Sequence, residues 1–243
     1  MVHGGGGISG IYMKYSLGLF NGVQDGTSDV DGSKDVALRL TLNPFPSDTF
    51  DLNLSFAWTG GNNDGSLAAF RVSDESITNI LAFGPTVRYD GWRWRRSLEA
   101  ELLWGNVAVG AEHILQSSEI TDGVLSADRY EMSGDSLWVA WIVTGEKKSR
   151  DEPLVPSRSW GAIELVARVT RFKADGSLGA LTLPGRFTDS AAQLCIGINW
   201  VQTRFTRLMI DVQRSRYDDP IEASPGRLED AHTAVLAGFD VRF

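Results

Sequence analysis

Apolar and polar residues alternate with a period of two in about ten separate segments, and no stretch carries a 3.6-residue stripe. Side chains of a strand point to opposite faces in turn, so this pattern gives every segment one greasy and one polar side. The first segment sets Ile11, Met13, Tyr15, Leu17 and Leu19 against Lys14, Ser16 and Gly18. The next two set Val36, Leu38, Leu40 and Leu42 against Asp35, Arg39 and Thr41, and Leu52, Leu54, Phe56 and Trp58 against Asp51, Asn53 and Ser55. The same grammar runs through Trp94–Trp104, Val107–Leu115, Leu137–Val143, Ile163–Val169, Leu194–Trp200, Leu208–Val212 and Val235–Phe243. The chain is therefore expected to be all-β and antiparallel.

The connections are of two kinds. Long polar ones cover 21–34, 60–92, 117–132, 174–190 and 218–231; short ones fall at 43–50, 104–106 and 201–205, with an intermediate stretch at 145–158. Long loops on one rim and short turns on the other are what an up-and-down transmembrane β-barrel requires. The segment 79–90 reads as an extra strand pair or as part of the second long loop and is assigned to the loop, residues 1–7 are assigned to a leader or scar outside the barrel, and the rest of 1–243 to one domain of about ten strands. An even count leaves both termini on the short-turn rim.

Composition narrows the partners. Lys and Arg number 23 against 31 Asp and Glu, a net charge of -8 opposite to a nucleic-acid footprint. The longest apolar run, Leu137–Val143, is far too short for a spanning helix of roughly 20 residues. A soluble core built from the polar faces would bury Glu99, Glu101, Glu112, Glu164, Arg168, Arg207, Asp211 and Arg242, at several kcal/mol per unpaired ion. A soluble barrel with the greasy face inward stays physically allowed. Against it, Trp58, Trp94, Trp104 and Trp200 sit on the greasy face near strand ends, with Phe243 at the last position, as interfacial aromatics do. The greasy face is thus expected to meet membrane lipid.

Six blocks in order, YSLGLFNG at 15–22, DVALRLTLNPF at 35–45, LEAELLWGNVAVGAEHIL at 98–115, TGEK at 144–147, GAIELVARVTRF at 161–172 and IGINWVQTRFTRLMIDVQRSRY at 196–217, resemble the phosphate-selective porin O and P family. That resemblance implies a bacterial outer-membrane barrel that passes phosphate and other small anions, usually as a homotrimer, with an arginine-rich lumen and a lysine-rich vestibule. Family barrels have sixteen strands, and the first matching block is similar to one of their mid-barrel strands. The resemblance thus implies a C-terminal portion or a shortened version; a passive channel of this kind is expected to need no cofactor.

By strand parity the lumen cations are Lys14, Arg39, Arg95, Arg168, Arg207 and Arg242, with Arg93 at the rim. Guanidinium forks bind phosphate oxygens in pairs, which suits an anion path. The carboxylates Asp35, Asp51, Glu99, Glu101, Glu112, Glu164, Asp211 and Asp240 share that face, so cross-strand pairing that merely stiffens the wall is the competing expectation. Only Arg39 and Arg168 fall in blocks that match the family, and the lysine cluster has no counterpart. The run Trp92, Arg93, Trp94, Arg95 and Arg96 reads as an interfacial anchor or an anion-attracting rim.

Other motifs lead nowhere. Gly5, Gly7 and Gly10 fit a dinucleotide fingerprint, yet an alternating strand follows where a helix is needed. Asp25, Asp29 and Asp31 suggest a calcium loop, but counting from Thr27 puts Leu38 where the closing Glu belongs. His3, His113 and His232 are too scattered to hold a metal, no G-x-S-x-G elbow exists, and Cys195 reads as a small packing residue. No enzymatic function is expected. The alternatives to an anion channel are a non-conducting barrel plugged by its own side chains and a soluble ligand-binding barrel.

Overall fold

A computed structural model describes residues 1–21, 32–47, 49–67, 69–71, 79–124, 127–150, 152–224 and 226–241. The strands are β1 (Val2–Ile8), β2 (Ile11–Phe20), β3 (Asp35–Asn43), β4 (Phe50–Asn63), β5 (Phe70–Arg71), β6 (Asn79–Phe83), β7 (Arg88–Trp104), β8 (Val107–Thr121), β9 (Asp128–Ile142), β10 (Ala162–Ala174), β11 (Thr182–Phe187), β12 (Ser190–Thr203), β13 (Thr206–Ser224) and β14 (Arg227–Val241). One short 3-10 helix, Gly176–Leu181, precedes β11. Eleven strands form one sheet in the order β1-β2-β3-β4-β7-β8-β9-β10-β12-β13-β14, every neighbouring pair antiparallel, and β11-β6-β5 form a second, small sheet.

The ten alternating segments all become strands of the large sheet. Three expectations need correction. The glycine-rich start, expected outside the barrel, is a strand of the sheet: Val2–Ile8 pairs with β2 through the tight turn Ser9-Gly10, where both residues take the positive φ values, 53° and 84°, that a two-residue hairpin needs. The segment 79–90 is not loop, because Asn79–Phe83 is β6 and β7 already starts at Arg88. The expected closed barrel of about ten strands is instead an eleven-stranded sheet, and among the described residues β1 and β14 make no ladder with each other. Alternation reports which side a strand buries and nothing about whether the first strand meets the last.

The two faces are inverted relative to a water-soluble protein. On the apolar face Leu98 is 56% exposed, Leu137 57%, Ile196 55%, Ile210 58% and Phe239 60%. The opposite face buries Gln193, Asn199, Gln213, Ser215, Glu164 and Arg93. True apolar cores are small and lie on this polar side. Leu81 of β6, Val87, Tyr89, Ile120, Met132 and the helical Leu178 form one at the long-loop end, with Ile80, Tyr217 and Ile221 beside it. The long connections between β4 and β7 and between β10 and β12 thus fold back over the polar face as the small sheet. Leu103, Ala108 and Ala140, with Trp138 and Val166 packed against them, form a third core near the short turns.

The 143–161 connection, on the short-turn side, also folds across the polar face: the Lys148 N–H donates to the Gly105 carbonyl at 2.8 Å. Its return into β10 needs Gly161, which has a φ of +105° and leaves no room, a Cβ there falling 2.5 Å from the Val201 carbonyl oxygen. Gly161→Ala is expected to destabilise the fold by about 1–3 kcal/mol through backbone strain and overpacking. Urea unfolding followed by tryptophan fluorescence will show it as a lower midpoint at unchanged slope.

Candidate functional site

The polar face of the large sheet is the candidate site. Strand register brings its charges into reach of each other, and most are paired. Arg39 of β3 reaches over β4 to grip Glu99 of β7 with both guanidinium nitrogens, at 3.0 and 2.6 Å. Arg93, only 6% exposed, spans the same gap to Asp35 at 2.9 Å and lies 5.4 Å from the Tyr89 ring. Arg207 meets Asp240 on the neighbouring strand at 3.4 Å. Arg95 is held differently, its Nε donating to Oε1 of the Gln116 side chain at 2.8 Å. Glu99 and Glu112 stand directly opposite on β7 and β8, a repulsive placement that Arg39 and the Ser97 hydroxyl, 3.2 and 3.1 Å from the two carboxylates, relieve.

Two cations on this face that strand parity does not reveal come from the 143–161 connection. Arg150 binds Asp51 and, at 2.8 Å, Glu101, so one guanidinium ties β4 to β7 from outside the sheet. Lys148 binds Glu164, which also accepts from Asn199 at 2.8 Å. Both lie in an irregular stretch without alternation, so no sequence signal aims them at the sheet.

The expected anion-path residues therefore separate. Arg39, Arg93 and Arg207 are neutralised by carboxylates. Lys14 has its ammonium 5.5 Å from the Tyr12 ring, and Arg168 sits in the ladder between Trp138 and Cys195. Lys14, Arg95 and Arg168 have no ion pair within 4 Å among the described residues, and neither do the carboxylates Glu112 and Asp211 or, nearer the long loops, Asp128 and Asp230 on the same face by register. Arg242 lies outside the described residues. So do Asp25, Asp29 and Asp31 of the candidate calcium loop. No group of three His, Cys, Asp or Glu side chains suited to a metal occurs among the described residues. Cys195 is a buried free thiol on the polar face.

The apolar face has ordered borders. Trp104, Trp141 and Trp200 are 65%, 48% and 37% exposed on the short-turn side, where Trp200 Nε1 donates to the Trp160 carbonyl at 2.8 Å. Arginines stack near aromatics there as well, Arg158 by Trp160 at 5.5 Å and Arg204 by Phe205 at 4.4 Å. Trp58 and Trp94 lie toward the opposite border on β4 and β7, with Arg96 5.6 Å from the Trp94 ring, while Phe243 lies outside the described residues. In the aromatic-basic run 92–96, Arg93 thus belongs to the polar face and Trp94 with Arg96 to the apolar one. From Trp200 to Leu194 on β12 is six residues, or roughly 20 Å of strand at about 3.4 Å each.

No helix among the described residues is long and apolar enough to cross a membrane. No known protein family matches the chain, and no curated protein does. Solved structures similar to it include a loop L8 deletion mutant of OmpT, an outer membrane protein of Vibrio cholerae, with a TM-score of 0.49 and 10% identity over 98% of this chain and 61% of that one. In-vitro folded OmpT gives a TM-score of 0.46 and 10% identity over 98% and 60%. LpxR from Salmonella typhimurium gives 0.33 and 8% over 99% and 87%. The chain thus spans about three fifths of the length of OmpT.

Glu146 anchors the 143–161 connection. Burial works to raise its pKa, but the hydroxyls of Ser157 and Thr144 and the Ser157 N–H together outweigh this and pull it down to about 2. A carboxyl whose folded pKa lies below its unfolded value of 4.5 contributes stability that is complete above pH 4.5 and lost as pH falls toward 2. Hydrogen-exchange protection of the Ser157 amide is expected to hold from neutral pH to about 4.5 and to drop between there and pH 2, and Glu146→Gln is expected to remove that pH dependence.

Proposed function

We propose that this chain forms the wall of a bacterial outer-membrane pore through which small anions such as phosphate diffuse passively. The observation that carries the reading is the inverted surface. Ten strands present outward Leu, Ile, Val, Phe and Trp side chains over about 20 Å of strand, and at about 4.8 Å per strand that band covers roughly 960 Å². The largest apolar patch on a typical soluble monomer is about 300–600 Å². Hydrocarbon, rather than water, is the solvent that suits this face.

A sheet in hydrocarbon has every backbone group paired, because each unpaired one costs several kcal/mol. The edges β1 and β14 are therefore paired in the bilayer, and the large sheet is an arc of wall around an aqueous space lined by its polar face. The short turns lie on the periplasmic side and the long connections outside. Within the lumen, ion pairs cancel most of the charge. Among the described residues the unpaired cations Lys14, Arg95 and Arg168 stand against the unpaired carboxylates Glu112, Asp128, Asp211 and Asp230, so the preference for anions rests on the paired grip of guanidinium forks on phosphate oxygens and not on net charge. The resemblance to phosphate-selective porins points the same way. No bond is made or broken and no cofactor takes part.

A second reading has one specific observation behind it. The small sheet from the long-loop side and the 143–161 connection from the other both cover the polar face, as a plug does, and a plugged barrel is structural and does not conduct.

Planar-bilayer recordings separate the two. Under a salt gradient the pore reading predicts conductance with a reversal potential of anion sign, and Arg168→Glu, a change of two charges at an unpaired site, is expected to shift that potential toward cation preference. Silence from a folded, inserted sample, or cation preference in the unmodified protein, would defeat the anion pore.

A further inference from the structure

The upper border of the apolar face is basic. In one ladder row, read across the sheet on the apolar side, stand His113, Asp135, Arg171, Ala192, Arg216 and Ala231. Two residues further toward the long loops on β10 is Lys173, and two residues nearer the band on β13 is Arg214. All four cations are exposed, and none has an ion pair within 4 Å among the described residues. Asp135, the carboxylate next to Arg171 in the row, is already held by His113 at 2.8 Å. Glu131 and Asp218 flank the group further from the band.

The spacing is favourable for phosphate. Arg171 and Arg216 lie two ladder steps apart, roughly 10 Å, with the small Ala192 between them, and cations two positions apart on one strand are about 7 Å distant. A gap of that size between two guanidinium-bearing side chains is wide enough for a phosphate group. Arg171 also stands at the edge of an open apolar depression of about 910 Å³ that runs over Leu40, Leu54, Leu98, Leu137 and Val169. Cations for a headgroup and a greasy trough for its tails thus adjoin on one surface.

We propose that Arg171, Lys173, Arg214 and Arg216 dock a phosphate-bearing lipid of the outer leaflet, whose acyl chains lie in this depression. The inference rests on the membrane reading above, since it needs the apolar band in the bilayer and the long loops outside. It assigns these four residues a ligand that the lumen reading does not touch.

The test compares the refolded full chain with Arg171→Gln/Arg216→Gln and with the quadruple glutamine variant, using phosphatidylcholine vesicles with and without diphosphoryl lipid A. All three proteins are expected to insert into neutral vesicles alike. Lipid A is expected to strengthen retention of the unmodified protein at least tenfold, the double variant to lose most of that gain and the quadruple variant all of it. Arg168→Gln, on the opposite face, is expected to keep it. An undiminished gain in the quadruple variant would overturn the docking surface, and abolition of the gain by millimolar inorganic phosphate would assign the site to free anion and overturn the lipid. Failure of every protein to enter neutral vesicles would sink the membrane reading, and the docking surface with it.

Discussion

The structure depends on one constraint: backbone hydrogen bonds are satisfied between strands, leaving side chains free to choose their solvents. The large sheet pairs each strand with the next, from β1 to β14, and that ladder needs no apolar interior to persist. Because the backbone is satisfied in this way, one side of the sheet can be given over to Leu, Ile and Trp and the other to Arg, Glu, Asn and Gln. The small cores around Leu81, Ile80 and Leu103 are local fastenings for what folds onto the polar side.

Charge on the polar face serves that fastening. Arg150 joins Asp51 to Glu101, Lys148 joins the 143–161 connection to Glu164, and Arg93 ties β7 to β3 across the strand between them. Partly buried pairs of this kind contribute less by their Coulomb energy than by what breaking them would leave: a carboxylate in a confined space with no partner. Selectivity, on the pore reading, comes from the few charges this bracing leaves over.

Much of this was legible in the sequence, and the reason is periodicity. A period of two identifies a strand and sorts its residues onto two faces, so Arg39, Arg93 and Glu99 could be placed on one side from the letters alone. Pairing could not be read, because Arg39–Glu99 and Arg93–Asp35 each reach over β4 and depend on register between non-neighbouring strands. Arg150 and Lys148 lie in a segment without any period. Val2–Ile8 was hidden for the opposite reason: four consecutive glycines have no side chains to alternate, and only the pairing with β2 makes them a strand. Asn79–Phe83 belongs to a sheet that packs against the wall, so its run of apolar residues resembles a loop flanked by polar stretches.

The glycine strand has a topological consequence. Directions reverse at each step through the eleven-stranded sheet, so its first and last members, β1 and β14, point the same way. A ring drawn through all eleven would have to be sewn with a parallel seam, the one such joint in an otherwise antiparallel fabric. Lift β1 away, and the bare edge of β2 runs opposite to β14. The four glycines thus stand in one of the two edge strands whose presence decides between an odd arc and an even hoop.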